Sequence, residues 1–282
     1  MHLYALDNQG KIIPVHKAGK QQNYCCLECK GPVRRRAGRQ RTPHFFHLRP
    51  SIACRQHAKS MAHLQVQFQL QSILPANDCQ LEYHFPAIKR IADVIWFSKK
   101  LIFEVQCSPI HPDEIRNRNQ DYATQGYQVI WLLHDHRFNR WKLSAAENYL
   151  QLSPHYYTNI DSDGQGFIYD QFYLIEKGTR KDKRQLLPID LTQPLILDSL
   201  SKSTVNNFPK MLSNRILHWP IYFLGDLVHH GLDNPKNYML KDLEEEQQLK
   251  LNWVQHLKKI IIKYIVRPYD LAFKMLLEKV CK

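Results

Sequence analysis

Arg90-Ile91-Ala92-Asp93-Val94-Ile95-Trp96-Phe97-Ser98-Lys99-Lys100-Leu101-Ile102-Phe103-Glu104-Val105-Gln106 reads as two β-branched and aromatic runs joined by Ser98-Lys99-Lys100, the pattern of a β-hairpin. Each run carries one acid among apolar neighbours: Asp93 between Ala92 and Val94, Glu104 between Phe103 and Val105. A carboxylate in that setting is costly to bury unless a cation or hydrogen-bond donors compensate it. Side chains alternate along a strand, so Glu104 and Gln106 share a face and Val105 turns to the other. If the hairpin sets Asp93 beside Glu104, two carboxylates and the Val105 carbonyl converge on one point. That is an oxygen-ligand site of the kind Mg²⁺ takes. The alternative is a strand-edge Asp93 paired with Arg90 and a Glu104 turned to solvent.

The 282 residues carry a net charge of +13 and are 44% hydrophobic and 11% aromatic. Such a chain folds around a real core, and its excess of cations favours a polyanionic partner, nucleic acid before an anionic membrane. The longest apolar candidate, Ile260-Ile261-Ile262, is broken by Lys263, so no membrane span is expected. The first residues lack a basic stretch followed by a long apolar one, which places the protein in the cytoplasm, with its seven cysteines as thiols or metal ligands.

Upstream of the hairpin, Met1 to Val15 suggests a small hairpin turning near Asn8-Gln9-Gly10. Cys26-x-x-Cys29 and a Gly-containing turn follow, then His44-Phe45-Phe46-His47, Cys54 and His57. Zinc takes four Cys or His ligands in a tetrahedron. Cys26 and Cys29 supply two. If residues 44–47 are extended, the two imidazoles point to opposite faces and only one ligates easily. His47 and Cys54 are the preferred third and fourth ligands, with His44 and His57 as substitutes. A closed Zn²⁺ tetrahedron of this kind is structural, since no position stays open for chemistry. Between the halves of the motif, Arg34, Arg35 and Arg36 are expected on a loop as a phosphate-contacting patch.

Residues 58–74 show helical spacing and stop at Pro75. Leu81 to Phe85 is the strand ahead of the hairpin. A second helix is expected over 112–125, with Pro112 and acids at its start and Gly126 beyond its end, placing Arg118 and Tyr122 on one face. Tyr127 to Leu133 is apolar throughout, a strand covered on both sides. Further on, His134-Asp135-His136 reads as a polar loop and 161–166 as the turn of a small hairpin. Lys177 to Arg184 reads as an exposed basic linker, Leu186 to Pro194 as irregular, and the chain from Lys241 as helical, split at Pro268.

Asp93, a short turn, then Glu104-x-Gln106 resembles the core of the PD-(D/E)xK nuclease superfamily, with Gln in place of the usual Lys. The flanks are more specific. Arg90-x-x-Asp93, Glu104-x-Gln106-x-Ser108, Arg118-x-x-x-Tyr122 and Trp131-Leu132-Leu133 look like the competence protein CoiA family, over roughly the first half of the chain. That resemblance implies a metal-dependent nuclease of mixed α/β architecture. Asp93 and Glu104 would hold Mg²⁺ or Mn²⁺, Gln106 would orient a water, and Arg90 or Arg118 would supply the missing positive charge, with Ser108 and Tyr122 in support. It implies DNA, single- or double-stranded, as partner, a role in natural transformation, and recombination proteins nearby. A non-catalytic DNA-binding accessory factor is the alternative. The family's helix usually opens with an acid near its Ser and His and carries a lysine. Here Ser60-Met61-Ala62-His63 keeps the Ser and His, and Gln65, Gln67 and Gln69 stand where the lysine is expected.

The expected layout is an α+β chain in three parts: a zinc-finger-like β module over 1–57, a nuclease-like core with a mixed sheet flanked by helices over 58–137, and a C-terminal region over 138–282, helical toward its end.

Overall fold

The computed structural model describes residues 1–38, 41–49, 54, 59–181, 183–197, 208–233, 252–258, 260–266 and 268–269. The hairpin forms where its pattern places it. Strands β7 (Arg90–Trp96) and β8 (Leu101–Gln106) run antiparallel, with Val94 opposite Phe103 and Trp96 opposite Leu101. On the far side of β7 lies β6 (Cys79–Phe85), also antiparallel. Helix α2 (Pro112–Thr124) then carries the chain over to β9 (Gln128–His134), parallel to β8. A second crossover through α3 (Ala145–Leu150) leads to β10 (His155–Thr158), parallel to β9. Strand β11 (Ile168–Gln171) returns beside β10, and β14 (Leu186–Pro188) closes the edge, giving the order β14-β11-β10-β9-β8-β7-β6.

Every residue of β8, and all but the first of β9, is buried, which explains their unbroken apolar runs. One face of the sheet packs Val94, Phe103 and Leu132 against Leu64 and Leu70 of α1 (Met61–Ile73). The other packs Ile95, Ile102 and Trp131 against Ile115 and Tyr122 of α2. Helix α1 starts where the Ser60 side chain accepts a hydrogen bond from the His63 amide, and it stops ahead of Pro75. Helix α2 has Pro112 in its first turn with Asp113 and Glu114, as the helix dipole favours.

The N-terminal module is a separate five-stranded antiparallel sheet of β1 (Tyr4–Leu6), β2 (Ile12–Pro14), β3 (Asn23–Cys25), β4 (Pro32–Gly38) and β5 (Arg41–His47), in the order β2-β1-β3-β4-β5. Buried Ala5, Tyr24, Val33 and Phe45 form its centre. Arg34, Arg35 and Arg36 lie on β4, not on a loop. Strand alternation therefore turns Arg35 away from the other two.

The large sheet runs past the boundary expected at 137, because β10, β11 and β14 all follow it. Residues 177–181 are no linker. They form the turn and second strand of a hairpin of β12 (Leu174–Glu176) and β13 (Thr179–Lys181), and Arg180 is fully buried there. Residues read as irregular form β14 and the start of β15 (Asp190–Ile196), which pairs with β16 (Ile221–Leu224). Residues 252–258 are helical; most of the C-terminal helical stretch lies outside the described residues. Among the described residues no helix is long and apolar enough to cross a membrane.

Candidate active site and metal centre

Asp93 and Glu104 occupy opposed positions where the β7–β8 ladder ends, and both are buried, at 4% and 1% exposure. The solvent-facing alternative for Glu104 is thereby overturned. The backbone ladder stops at Val94 and Phe103, and beyond it the Val105 amide donates to Asp93 Oδ2 at 2.9 Å. Val105 thus meets the carboxylate through its N–H.

Each carboxylate has its own set of donors. Asp93 Oδ1 receives Lys59 Nζ at 2.8 Å, His63 Nε2 at 3.0 Å and Gln67 Nε2 at 3.0 Å. Glu104 accepts from Arg118 Nη1 at 2.7 Å on Oε2 and from the Tyr122 hydroxyl at 2.7 Å on Oε1. Burial works against an ionised Asp93, yet His63 and Lys59 beside it hold its carboxyl far below the usual carboxylate range. His63 is itself pushed below the ordinary histidine value by burial, with the Asp93 carboxylate opposing that shift. The permanent positive charge at Asp93 is that of Lys59. Burial alone would favour loss of the Lys59 proton, but Asp93 and Glu82 outweigh it and raise the pKa above that of an ordinary lysine. At Glu104 burial pushes the carboxyl upward, Arg118 opposes this, and the Asp93 charge reinforces it.

Above these groups opens a cavity of about 460 Å³, lined by Lys59, His63, Asp93, Gln106 and Arg118 among others. Glu104 meets it only through Arg118 and Tyr122, which do line it. Gln106 donates its amide to the Ser108 carbonyl at 2.7 Å and hydroxyl at 3.1 Å, which pins it against the cavity wall. Arg90 also lines the cavity, and its guanidinium bonds Glu114 at 2.8 Å and Asp121 at 2.7 Å on α2. A buried cluster of paired ionisable groups at the floor of an open cavity is found both at functional sites and in structural ion-pair networks, and it makes these residues the candidate site.

Sequence reading does not single out Lys59 or Glu82. The sequence does carry a signal for the helix side of the site: His63 and Gln67 are four residues apart and share a face of α1. Glu82 is a lone acid in an apolar strand, as Asp93 is, and holds Lys59 Nζ at 3.0 Å. Its other oxygen accepts the Leu3 amide at 2.7 Å. Leu3, just ahead of β1, thus ties the N-terminal module to the floor of the cavity through Glu82 and Lys59.

The second cluster lies inside that module. Ligand atoms of Cys26, Cys29, His47 and Cys54 all fall within 4.8 Å of one another. Cys26 and Cys54 sulfurs are 3.8 Å apart, and His47 Nε2 lies 3.3 Å from Cys29 Sγ and 3.6 Å from Cys54 Sγ. Zinc bonds of about 2.3 Å to sulfur and about 2.0 Å to nitrogen give tetrahedron edges of roughly 3.8 Å and 3.5 Å. These three distances lie close to such edges, so the Cys₃His cluster is one that could hold Zn²⁺. A Cβ on Gly31 would come within 3.3 Å of Cys29 Sγ, so the turn keeps a glycine where a larger residue would crowd the ligand. His44 does not join the set; its Nδ1 lies 2.9 Å from the Thr42 carbonyl. His57 lies outside the described residues. Glu28, on the Cys26–Cys29 turn, also lines the cavity, so this module forms part of its wall.

Residues 9–57 match the model of the competence protein CoiA N-terminal domain, and residues 59–193 that of the competence protein CoiA nuclease-like domain. The two matches together span well over half of the chain. The second runs from Lys59 past β14, so it takes in the whole large sheet. No curated protein and no solved structure matches the chain.

Proposed function

Because the chain belongs to the competence protein CoiA family, we propose that it is a metal-dependent nuclease acting on DNA during natural transformation, with Asp93 and Glu104 as its central acids. The observation that carries this reading is the buried Asp93 carboxylate at the edge of a cavity that Lys59, His63, Gln106 and Arg118 also line. The residues fit a hard dication. Asp93 and Glu104 offer carboxylate oxygens, and a dication there would take the place of the side chains they now pair with, Lys59 on one and Arg118 on the other. When bound, Mg²⁺ or Mn²⁺ polarises a phosphodiester oxygen and lowers the pKa of a water.

The chain's own groups account for the rest of the chemistry. Gln106, with its N–H groups directed at Ser108, keeps its carbonyl oxygen as an acceptor that can orient a water. It cannot neutralise charge as lysine would. Arg118 and Lys59 line the same cavity and supply the positive potential that a phosphorane-like transition state requires. The zinc module serves as a structural wall beside the cavity and as part of the DNA surface.

One observation favours a second reading. Asp93 already accepts from Lys59, His63, Gln67 and Val105, which is a full complement for a carboxylate. A core satisfied in this way suits a DNA-binding accessory factor that does not cut. A cleavage assay on single- and double-stranded DNA with Mg²⁺ and Mn²⁺, run beside Asp93→Ala, separates the two: metal-dependent cutting lost in the variant supports the nuclease, and DNA binding with no cutting by the parent supports the accessory factor.

A further inference from the structure

The Lys59 side chain is 8% exposed and has no slack. Its ammonium bridges two buried carboxylates, 2.8 Å from Asp93 Oδ1 and 3.0 Å from Glu82 Oε1. Glu82 is fixed in turn. Its second oxygen accepts the Leu3 amide at 2.7 Å and the Tyr4 amide at 3.3 Å, both from the N-terminal module. It also adopts a φ of +48°, a backbone state that few non-glycine residues take without a specific need. That turn falls in β6 opposite Asp93, between the registered pairs Leu81–Val94 and Tyr83–Ala92. The strand is therefore bent at the point where it delivers a carboxylate to Lys59. An ammonium so placed keeps its charge and its position.

We propose that Lys59 is a built-in counter-cation for Asp93 that competes with a divalent metal ion for the same carboxylate, and so sets how tightly the site binds that ion. The proposal rests on the reading of Asp93 as a metal-holding acid. The physical basis is simple. A fixed unit charge a few ångströms from a binding site repels a second cation strongly in a buried setting, and Oδ1 cannot serve both fully. Glu82 acts as the positioning residue, holding the ammonium over Asp93 when it would otherwise swing into the cavity. The N-terminal strand reaches the site by the same route, because β1 clamps Glu82.

The test is Mn²⁺ binding to the zinc-loaded full chain by titration calorimetry, with no DNA present. The variants are Lys59→Met, Lys59→Arg, the double variant Lys59→Met/Glu82→Gln, and Asp93→Asn. The double variant removes both charges of the Lys59–Glu82 pair and so avoids leaving Glu82 buried without its cation. Lys59→Met and the double variant should bind Mn²⁺ roughly tenfold tighter or more than the parent. Lys59→Arg, which keeps the charge, should resemble the parent, and the gain should vanish when Asp93→Asn is added. Equal or weaker binding in the folded double variant, with parent binding that depends on Asp93, overturns the counter-cation role and leaves the nuclease reading standing. No Asp93-dependent Mn²⁺ binding in any variant removes both.

Discussion

Lys59 and Asp93 meet at 2.8 Å, one from the segment just before α1 and the other from the middle of β7. Their contact joins the helix side of the fold to the hairpin, and Glu82 extends it to the N-terminal module. The site is therefore assembled from three parts of the chain that are distant in sequence.

The Cys₃His geometry predicts about one equivalent of Zn²⁺ in the purified protein. Cys26→Ser should lose the metal and lower the melting temperature of the N-terminal module, because metal binding and folding are coupled. Gly31→Ala should weaken retention of the metal against a chelator, since the added Cβ crowds Cys29. Metal analysis and calorimetry check both; a metal-free protein with an intact N-terminal module contradicts the assignment.

A different ion pair sets stability farther along the chain. Arg180 and Glu147 are both buried, their side chains 2.6 Å apart, and Arg180 also donates to the Tyr157 hydroxyl at 2.8 Å. Arg180→Ala leaves Glu147 without its cation and should cost about 3–5 kcal/mol in urea unfolding. Arg180→Met combined with Glu147→Gln should recover part of that loss. A cost below about 1 kcal/mol for the single variant would mean the pair is unimportant.

His155 on β10 is buried, and burial first, then the nearby Arg215, push its pKa down to about 4 from an ordinary value of 6.5. The folded protein thus binds this proton less readily than the unfolded chain does. The histidine's contribution to stability is present above pH 6.5 and is lost as pH falls from there toward 4. Between pH 7.5 and 5.5 the loss from this group should be about 1 kcal/mol. Urea unfolding at the two pH values should show a smaller difference for His155→Asn, whose amide can replace the N–H directed at the Ser153 carbonyl. An identical pH dependence in parent and variant would remove His155 as a source.

For the DNA surface, the salt dependence of binding is the informative quantity. Arg36 is exposed on β4 and stacks over Phe46 at 4.5 Å, while Arg34 bonds Asn23 and is only half exposed. Replacing Arg34, Arg35 and Arg36 together by alanine should weaken DNA binding and flatten the plot of log affinity against log salt, by about 0.9 per lost phosphate contact on duplex DNA. Because the strand turns Arg35 to the other face, Arg36→Ala alone should account for more of the change than Arg35→Ala. Parent-like binding by the triple variant at every salt concentration would take this strand out of the DNA surface.

Much of this arrangement is legible in the sequence because it is local. The hairpin follows from alternation and its polar turn, α2 from Pro112 and its acids, and β9 from its unbroken apolar run. Cys26 and Cys29 follow from ligand chemistry, and the opposite faces of His44 and His47 leave room for one of the two; that it is His47, with Cys54, is set by the fold. What escapes is set by tertiary contact. Lys59 is a lysine beside a helix start, and nothing nearby marks it as the partner of Asp93 and Glu82. Arg180 stands in a run of basic residues, Lys177 to Arg184, whose composition is that of an exposed linker. It is buried because Glu147 and two tyrosines receive it. Strand β15 contains Pro194 and polar residues, and it is a strand because β16 pairs with it across a bulge.

The central claim is that Asp93 and Glu104 form a metal-dependent cutting site, and a single-turnover DNA cleavage assay with Mg²⁺ and Mn²⁺ tests it most directly. Parent protein, Asp93→Asn and Glu104→Gln should be compared with matched folding and matched DNA affinity. The account predicts metal-dependent cleavage by the parent and its loss, by at least about a hundredfold, in each variant, because each removes an acid that would hold the ion and not a phosphate contact. Cleavage that survives the loss of either carboxylate, or a parent that binds DNA and never cuts it, would contradict that claim.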